Sequence, residues 1–304
     1  MIRLLNEDKM VKFGGELSPE YGWCLIMSGG AGSGKGFVQS HVMDFNAKVL
    51  DVDELKKMYT KALKRDDTNL GRNTSITKRD YDFKNPEDVT QLHFATKKYG
   101  QEQRKMAYSG VFTVDGRLTN ITFDITGKNP KETIEICRNM KELGYKICYV
   151  WVLTNRQEAM IRNVSRERVV GDDIFHAIHN AVNEAVPEFL KSSAATIIDD
   201  AWLVFSSTGH AGATPQEMKL LTDKRAIELK KTSHGFIINN KLMHRIAATL
   251  GDQEVMDDDV VDKNNRRYMS QDDVIKSLKR QGIEPSEKGS YKAVRTYDDD
   301  FLNN

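Results

Sequence analysis

Residues 29–36 read GGAGSGKG and sit directly behind the apolar run WCLIM. Gly29, Gly34 and Lys35 satisfy the spacing G-x-x-x-x-G-K, whose chemistry is the capture of phosphate. Backbone N–H groups of residues 31–36 converge on phosphate oxygens only where Cβ atoms do not crowd them, and a following helix adds its positive end. Lys35 would carry a point charge to the β- and γ-phosphates. The candidate nucleotide-binding set is Gly29, Gly30, Ala31, Gly32, Ser33, Gly34, Lys35, Gly36 and Phe37. One position departs from the pattern: Gly36 stands where a Ser or Thr hydroxyl commonly ligates Mg²⁺, and Phe37 supplies none.

Three further stretches carry groups suited to work beside a phosphate. VLDVD places Asp51 and Asp53 at the end of a second apolar run, and DITGK contributes Asp124, Thr126 and Lys128. IRNVSRERV sets Arg162, Arg166 and Arg168 on one helix or its end, the first two with i,i+4 spacing. Phosphoryl transfer is mostly positioning and charge stabilisation, so a cradle, a lysine, a metal and arginines supply most of it. A carboxylate within reach of the accepting hydroxyl takes its proton. His176 and His179 lie three apart on a predicted helix, but no Cys or acid set completes a metal site around them, which predicts a plain helix surface. Trp23, Trp151 and Trp202 fall in or beside predicted strands and read as core.

The elements that must position these groups are well punctuated. WCLIMSG, continuous in apolar residues, predicts a strand covered on both faces, and FVQSHVMDF predicts the helix after the glycine loop. AKVLDVD is a second strand. NPED opens a long helix over residues 85–109, with Asn85 as cap and Pro86 at the first helical position. NITFDITG predicts a third strand running into NPKE, a helix start whose helix stops at Gly144. YKICYVWVL is the longest strand candidate, followed by a helix from Arg156 and another from Ile174, the latter broken or kinked near Pro187. ATIID and AWLVFSS predict further strands, and TPQE opens a helix reaching about Lys231.

Strands alternating with helices predict an α/β fold: a doubly wound, mostly parallel sheet with helices on both faces. Ligands of that architecture bind at the carboxyl ends of the strands, where the glycine loop and the acids after the second strand both fall. Residues 1–235 form the expected main domain and 236–304 a polar C-terminal extension, helical and acidic. Residues 252–304 hold 13 acids and 9 bases, too polar to build a core of their own. Residues 56–105 are the reverse, with 13 Lys/Arg against 7 Asp/Glu and Tyr59, Tyr81, Phe83, Phe94 and Tyr99 interleaved. That composition suits an anionic partner or one face of a long helix.

Bulk composition bounds the class. The chain has 304 residues, 39% hydrophobic and 29% charged, with 45 Lys/Arg against 44 Asp/Glu, so net charge argues neither for nor against nucleic acid. Three cysteines without CxxC spacing fit a reducing, cytoplasmic setting. No apolar run approaches the ~18 residues of a membrane span, and no signal-peptide core is present at the N-terminus.

In the order of its motifs, over roughly residues 21–170, the chain resembles the zeta-toxin and polynucleotide-kinase branch of the P-loop kinases. Zeta toxins carry an E-G-T-G-R turn where this chain has Asp124-Ile125-Thr126-Gly127-Lys128, and a run that matches GYKICYV. Adenylate kinases, another P-loop group, also have glycine at the position of Gly36. The resemblance implies ATP as donor and Mg²⁺ as metal, with an aspartate at the end of the second strand as general base. Asp53 matches that aspartate best, with Asp51 as second choice. It further implies that Lys35, Arg162, Arg166 and Arg168 stabilise the transferred charge, that Asp53 and Asp124 hold the metal, and that Asp51, Asp124, Thr126 and Lys128 line the acceptor. The acceptor would be a nucleotide-sugar, a nucleotide or a nucleic acid. A rival reading is a non-catalytic nucleotide-binding protein that acts on a partner through its acidic tail.

Overall fold

The computed structural model describes residues 11–43, 45–50, 81–85, 87–93, 105, 108–109, 113–166, 169–207, 226–250, 276, 283–285 and 291–293. In chain order the first elements are β1 (Trp23–Ser28), α1 (Lys35–Phe37) continued by a wider π-type turn over Val38–Val42, and β2 (Lys48–Leu50). A hairpin of β3 (Thr113–Val114) and β4 (Arg117–Leu118) precedes β5 (Ile121–Asp124), α2 (Pro130–Glu142) and β6 (Lys146–Leu153). Then come α3 (Arg156–Ser165), α4 (Asp172–Lys191), β7 (Asp200–Phe205) and β8 (Ala226–Glu228). A hairpin of β9 (Lys231–Thr232) and β10 (Gly235–Phe236) leads to α5 (Asn240–Leu250).

Six of these strands form one sheet in the order β2-β5-β1-β6-β7-β8. All pairings are parallel except β7 with β8. The apolar continuity of β1 has the cause its composition implies, because both faces are covered. Cys24 and Ile26 join one buried cluster with Phe123, Tyr149, Trp151, Leu203 and side chains of α2, α4 and α5. Leu25 and Met27 join a second with Val38, Val42, Val150, Trp202 and Val204 on the opposite face. The doubly wound expectation and the core placement of Trp23, Trp151 and Trp202 are therefore met. Phe236, Ile238, Ile246 and Leu250, from the stretch assigned to the extension, pack in the first cluster. The three cysteines are buried free thiols, and burial pushes the Cys137 thiol up to about 12. Such thiols are inert as nucleophiles.

Local signals account for most helix boundaries. Asn155 Oδ1 accepts from the N–H groups of Gln157 and Glu158 at 2.9 and 3.4 Å, which starts α3. Pro130 opens α2 after Asn129, and Gly144 ends it with φ +92°. Asn85 Oδ1 accepts from Glu87 N–H at 2.9 Å, and residues 87–93 are helical; residues 94–104 of that predicted helix lie outside the described residues.

Three expectations are corrected. ATIID is not a strand: Ser193–Ile197 form a 3₁₀ turn that buries Ala195, and the place beside β6 is taken by β7. α4 is not broken at Pro187 but runs unbroken through 20 residues. Pro187 lies near the end of the helix, where it removes one hydrogen bond, and the packing of Val186, Phe189 and Leu190 in the core outweighs that loss. The expectation of helix up to Lys231 fails at residues 226–228, because Ala226–Glu228 pair antiparallel with Trp202–Val204 at the sheet edge. Edge pairing there overrides the helical preference of Ala and Glu. The TPQE helix start, most of residues 252–304 and most of the basic insertion lie outside the described residues.

A buried amide secures the amino ends of the central strands. Asn120, fully buried, accepts from Trp23 N–H at 2.9 Å and donates to the Pro19 carbonyl at 2.6 Å. Asn120→Ala leaves the Trp23 N–H buried without an acceptor. Urea denaturation of that variant is expected to show a loss of about 2–3 kcal/mol, with the fold retained by circular dichroism.

Candidate active site

The loop Gly29–Gly34 leaves the carboxyl end of β1, the strand flanked by β5 and β6 in the sheet. Its shape depends on glycine at two close approaches. A Cβ on Gly32, at φ +73°, would stand 2.1 Å from the Ala159 carbonyl oxygen of α3. A Cβ on Gly30 would stand 2.4 Å from the His179 ring of α4. Gly36 is different: it is exposed, outside the positive-φ region, and an added Cβ meets nothing within 4 Å. Its backbone therefore accepts a serine. Ser40, one turn on, does not replace the missing hydroxyl, since its Oγ donates to the Gly36 carbonyl at 2.8 Å.

Lys35 lies back along the loop. Its ammonium donates to the Gly29 carbonyl at 2.8 Å and stands 3.6 Å from Asp124 Oδ1. Asp124 reaches that position because β5 pairs in parallel with β1, setting Met27 beside Asp124. The pairing continues past the strand: Ile125 N–H donates to the Met27 carbonyl and Gly29 N–H to the Thr126 carbonyl, at 3.0 and 3.1 Å. Asp124 and Thr126 thus adjoin the glycine loop, while Lys128 is exposed two residues beyond Thr126. Between them, Gly127 is buried at φ +81°, where a Cβ would meet Ser28 Cβ at 2.8 Å and the Tyr149 hydroxyl at 2.9 Å. Burial raises the pKa of that Tyr149 hydroxyl and keeps it protonated.

Arg162 comes to the other flank of the loop. Its guanidinium donates to the Ser206 carbonyl at 2.9 Å and to Glu158 Oε2 at 3.1 Å, and lies 3.6 Å from where a Gly34 Cβ would be. Ser206 in turn donates its hydroxyl to the Ser33 carbonyl at 2.6 Å. Arg166 follows at the carboxyl end of α3. Asp51, Asp53 and Arg168 lie outside the described residues. Among the described residues there is no cluster of three or more His, Cys, Asp or Glu able to hold a metal.

One residue of this region was misread from sequence. His179 is not on the helix surface; it is 3% exposed, and its Nε2 lies 2.9 Å from the Ala31 carbonyl. A signal for this was present. Phe175, His179, Val182 and Val186 recur at the spacing of one helix face, so the imidazole sits in an apolar stripe. Ser206 carried no such signal, since its contact with Ser33 joins segments 173 residues apart.

No protein-family model matches the chain, and no curated protein is detectably similar to it. Among solved structures, the AvrRxo1-ORF1:-ORF2 complex with ATP matches at a TM-score of 0.51 and 12% identity, covering 74% of this chain and 63% of that chain. This chain thus spans less than two thirds of that neighbour. The same complex with sulphate ions matches at 0.51 and 13% identity, covering 86% and 71%. What this likeness shows is the fold, a mostly parallel α/β sheet with helices on both faces. A chain from the PezAT chromosomal toxin-antitoxin system of Streptococcus pneumoniae also matches, at a TM-score of 0.40 and 11% identity over 62% of this chain and 69% of that one. No helix among the described residues is long and apolar enough to cross a membrane.

The two kinds of glycine separate in a stability measurement. Gly32→Ala forces a Cβ into the α3 backbone at positive φ and is expected to lose about 2 kcal/mol or more in urea denaturation. Gly36→Ser is expected to stay within about 0.5 kcal/mol of the wild type.

Proposed function

We propose that this chain transfers the γ-phosphate of ATP to a hydroxyl of a nucleotide-sugar, a nucleotide or a nucleic acid. The observation that carries the proposal is the meeting of Lys35 and Asp124 at the glycine loop, 3.6 Å apart. Before substrate binds, the two charges neutralise each other across the lip of the loop. A polyphosphate offers Lys35 a stronger partner and releases Asp124 toward the acceptor side. The ATP-containing structure of the same fold supports ATP as the donor.

In this reading the loop amides and Lys35 hold the β- and γ-phosphates. Asp53 accepts the proton of the attacking hydroxyl as the new O–P bond forms and the bond from the γ-phosphorus to the bridging oxygen breaks, releasing ADP. Arg162 and Arg166, with Arg168, are the cations available to the transferred group. The anchorage of Arg162 on the Ser206 carbonyl and Glu158 fixes its charge beside Gly34. Asp124 and Asp53 are the carboxylates that would hold Mg²⁺. That ion takes one or two carboxylates together with phosphate oxygens and water, a demand that a single carboxylate at the end of β5 fits. When bound, it would neutralise charge on the phosphates. Thr126 and Lys128, with Asp51, belong to the acceptor side, and Lys128 supplies the positive charge for an anionic acceptor.

Calorimetry and a labelled γ-phosphate transfer screen across nucleotide-sugars, nucleosides and oligonucleotides, with and without Mg²⁺, test the proposal. Lys35→Ala is expected to weaken ATP binding at least about tenfold, the equivalent of one charge-assisted contact. Asp53→Asn is expected to keep ATP binding and lower transfer by roughly 10²–10⁴-fold. Survival of transfer in Asp53→Asn with its loss in Asp51→Asn would move the base by two residues. A wild type that binds ATP but transfers to no acceptor at any Mg²⁺ concentration would favour a non-catalytic nucleotide-binding protein.

A further inference from the structure

Helix α4 reaches the glycine loop through a buried imidazole. His179 lies flat on the Gly30 backbone, close enough that a Cβ there would be 2.4 Å from both Cε1 and Nε2. Phe175 supports the ring from one turn earlier, with centroids 4.4 Å apart. The partner of Nε2 is a carbonyl oxygen, at 2.9 Å, so Nε2 carries the proton and donates. The groups facing His179 are Lys35 from the loop, Arg156 from the start of α3 and His176 from its own helix. Arg156 is itself tied to α4, donating to Asn180 Oδ1 at 2.8 Å.

The consequence for the loop follows from the planarity of the peptide. In a trans peptide the carbonyl of Ala31 and the N–H of Gly32 point in opposite directions. A donor that holds the Ala31 carbonyl toward α4 therefore turns the Gly32 N–H away from α4. The peptide ends on Gly32, at φ +73°, so on that side the backbone alone restrains its rotation weakly. A rotated peptide would present the Ala31 oxygen, and its partial negative charge, to a phosphate. We propose that His179 is a positioning residue of the phosphate loop, its Nε2–H fixing the Ala31–Gly32 peptide in the orientation that binds a polyphosphate. The proposal rests on the reading of this loop as a nucleotide-phosphate site and adds to it the device that holds the loop in shape.

The imidazole also senses what the loop binds. Burial first, then Arg156, Lys35 and His176, lower its pKa to about 4, against the hydrogen bond to Ala31, which raises it. A polyphosphate on Lys35 offsets the local positive charge and so favours the imidazolium. By linkage, the wild type gains polyphosphate affinity as pH falls toward that range, and a glutamine at 179, which donates but does not titrate, gains none through this route.

The test is calorimetric binding of inorganic tripolyphosphate and of ATP to the full chain, as wild type, His179→Gln and His179→Leu, each checked for folding by circular dichroism. Glutamine retains an N–H donor near the position of Nε2, and leucine does not. The expected result is a loss of about tenfold or more for His179→Leu and about threefold or less for His179→Gln at pH 7.5. The ratio of wild-type to His179→Gln affinity is expected to rise about threefold or more between pH 7.5 and pH 5. Equal affinity of folded His179→Leu and wild type overturns the proposal, as does an equal loss in both variants, which would assign the effect to ring packing. Should His179→Leu fail to fold, His179→Gln at pH 7.5 decides: affinity within about threefold of the wild type supports the proposal, and a loss of about tenfold or more overturns it. A wild type that binds neither ligand overturns the nucleotide reading and this proposal together, whereas wild-type binding unaffected in a folded His179→Leu overturns this proposal alone.

Discussion

The glycine loop meets two helices at positions where it carries no side chain, Gly32 against α3 and Gly30 against α4. At Gly32 the α3 backbone approaches within the space of a single Cβ, and at Gly30 the α4 imidazole does the same. This close approach is the constraint on which the rest of the site depends. It brings the loop, α3 and α4 to the carboxyl edge of one sheet, so groups distant in sequence share one small volume. A loop made of bulkier residues would stand off from both helices, and the groups they carry would no longer adjoin it.

Polar contacts then lock what the glycines allow. Ser206, just past β7, bonds the Ser33 carbonyl, and Arg162 bonds the Ser206 carbonyl while pairing with Glu158 on its own helix. The guanidinium therefore serves two ends: it joins α3 to β7 and leaves a fixed positive charge beside Gly34. On the opposite flank Gly29 N–H and the Thr126 carbonyl extend the β1–β5 pairing beyond the strands. Asp124 is held by that register against Lys35 rather than by a long flexible stem.

The charge balance of the site follows from these placements. Lys35, Arg156 and Arg162 gather at a loop otherwise built of uncharged residues, where Asp124 pairs with Lys35 and Glu158 with Arg162. Burial first, and then this positive character, keeps His179 neutral at physiological pH, so its proton stays on Nε2 as the donor to Ala31. Buried apolar surface supports this edge from both sides of the sheet, through α2, α4 and α5 on one face and the α1 segment on the other.

Much of this was legible in the sequence because it depends on local spacing. The glycine loop, Lys35, the continuous apolar strand before it, the Pro130 start and Gly144 stop of α2, and Asp124 at a strand end are all settled within a few residues of chain. Backbone conformation and side-chain alternation are short-range properties, so they can be read without the fold. The 3₁₀ turn at Ser193–Ile197 and the edge strand at Ala226–Glu228 could not be read that way, because a strand exists only where a neighbour offers hydrogen bonds. The same holds for Ser206 on Ser33 and His179 on Ala31, contacts across 173 and 148 residues. By itself the sequence determined that a glycine loop would follow the first strand and which lysine would lie along it. Only the tertiary structure decided which serine and which histidine would hold that loop, since neither pairing has a periodicity that a chain can display before it folds.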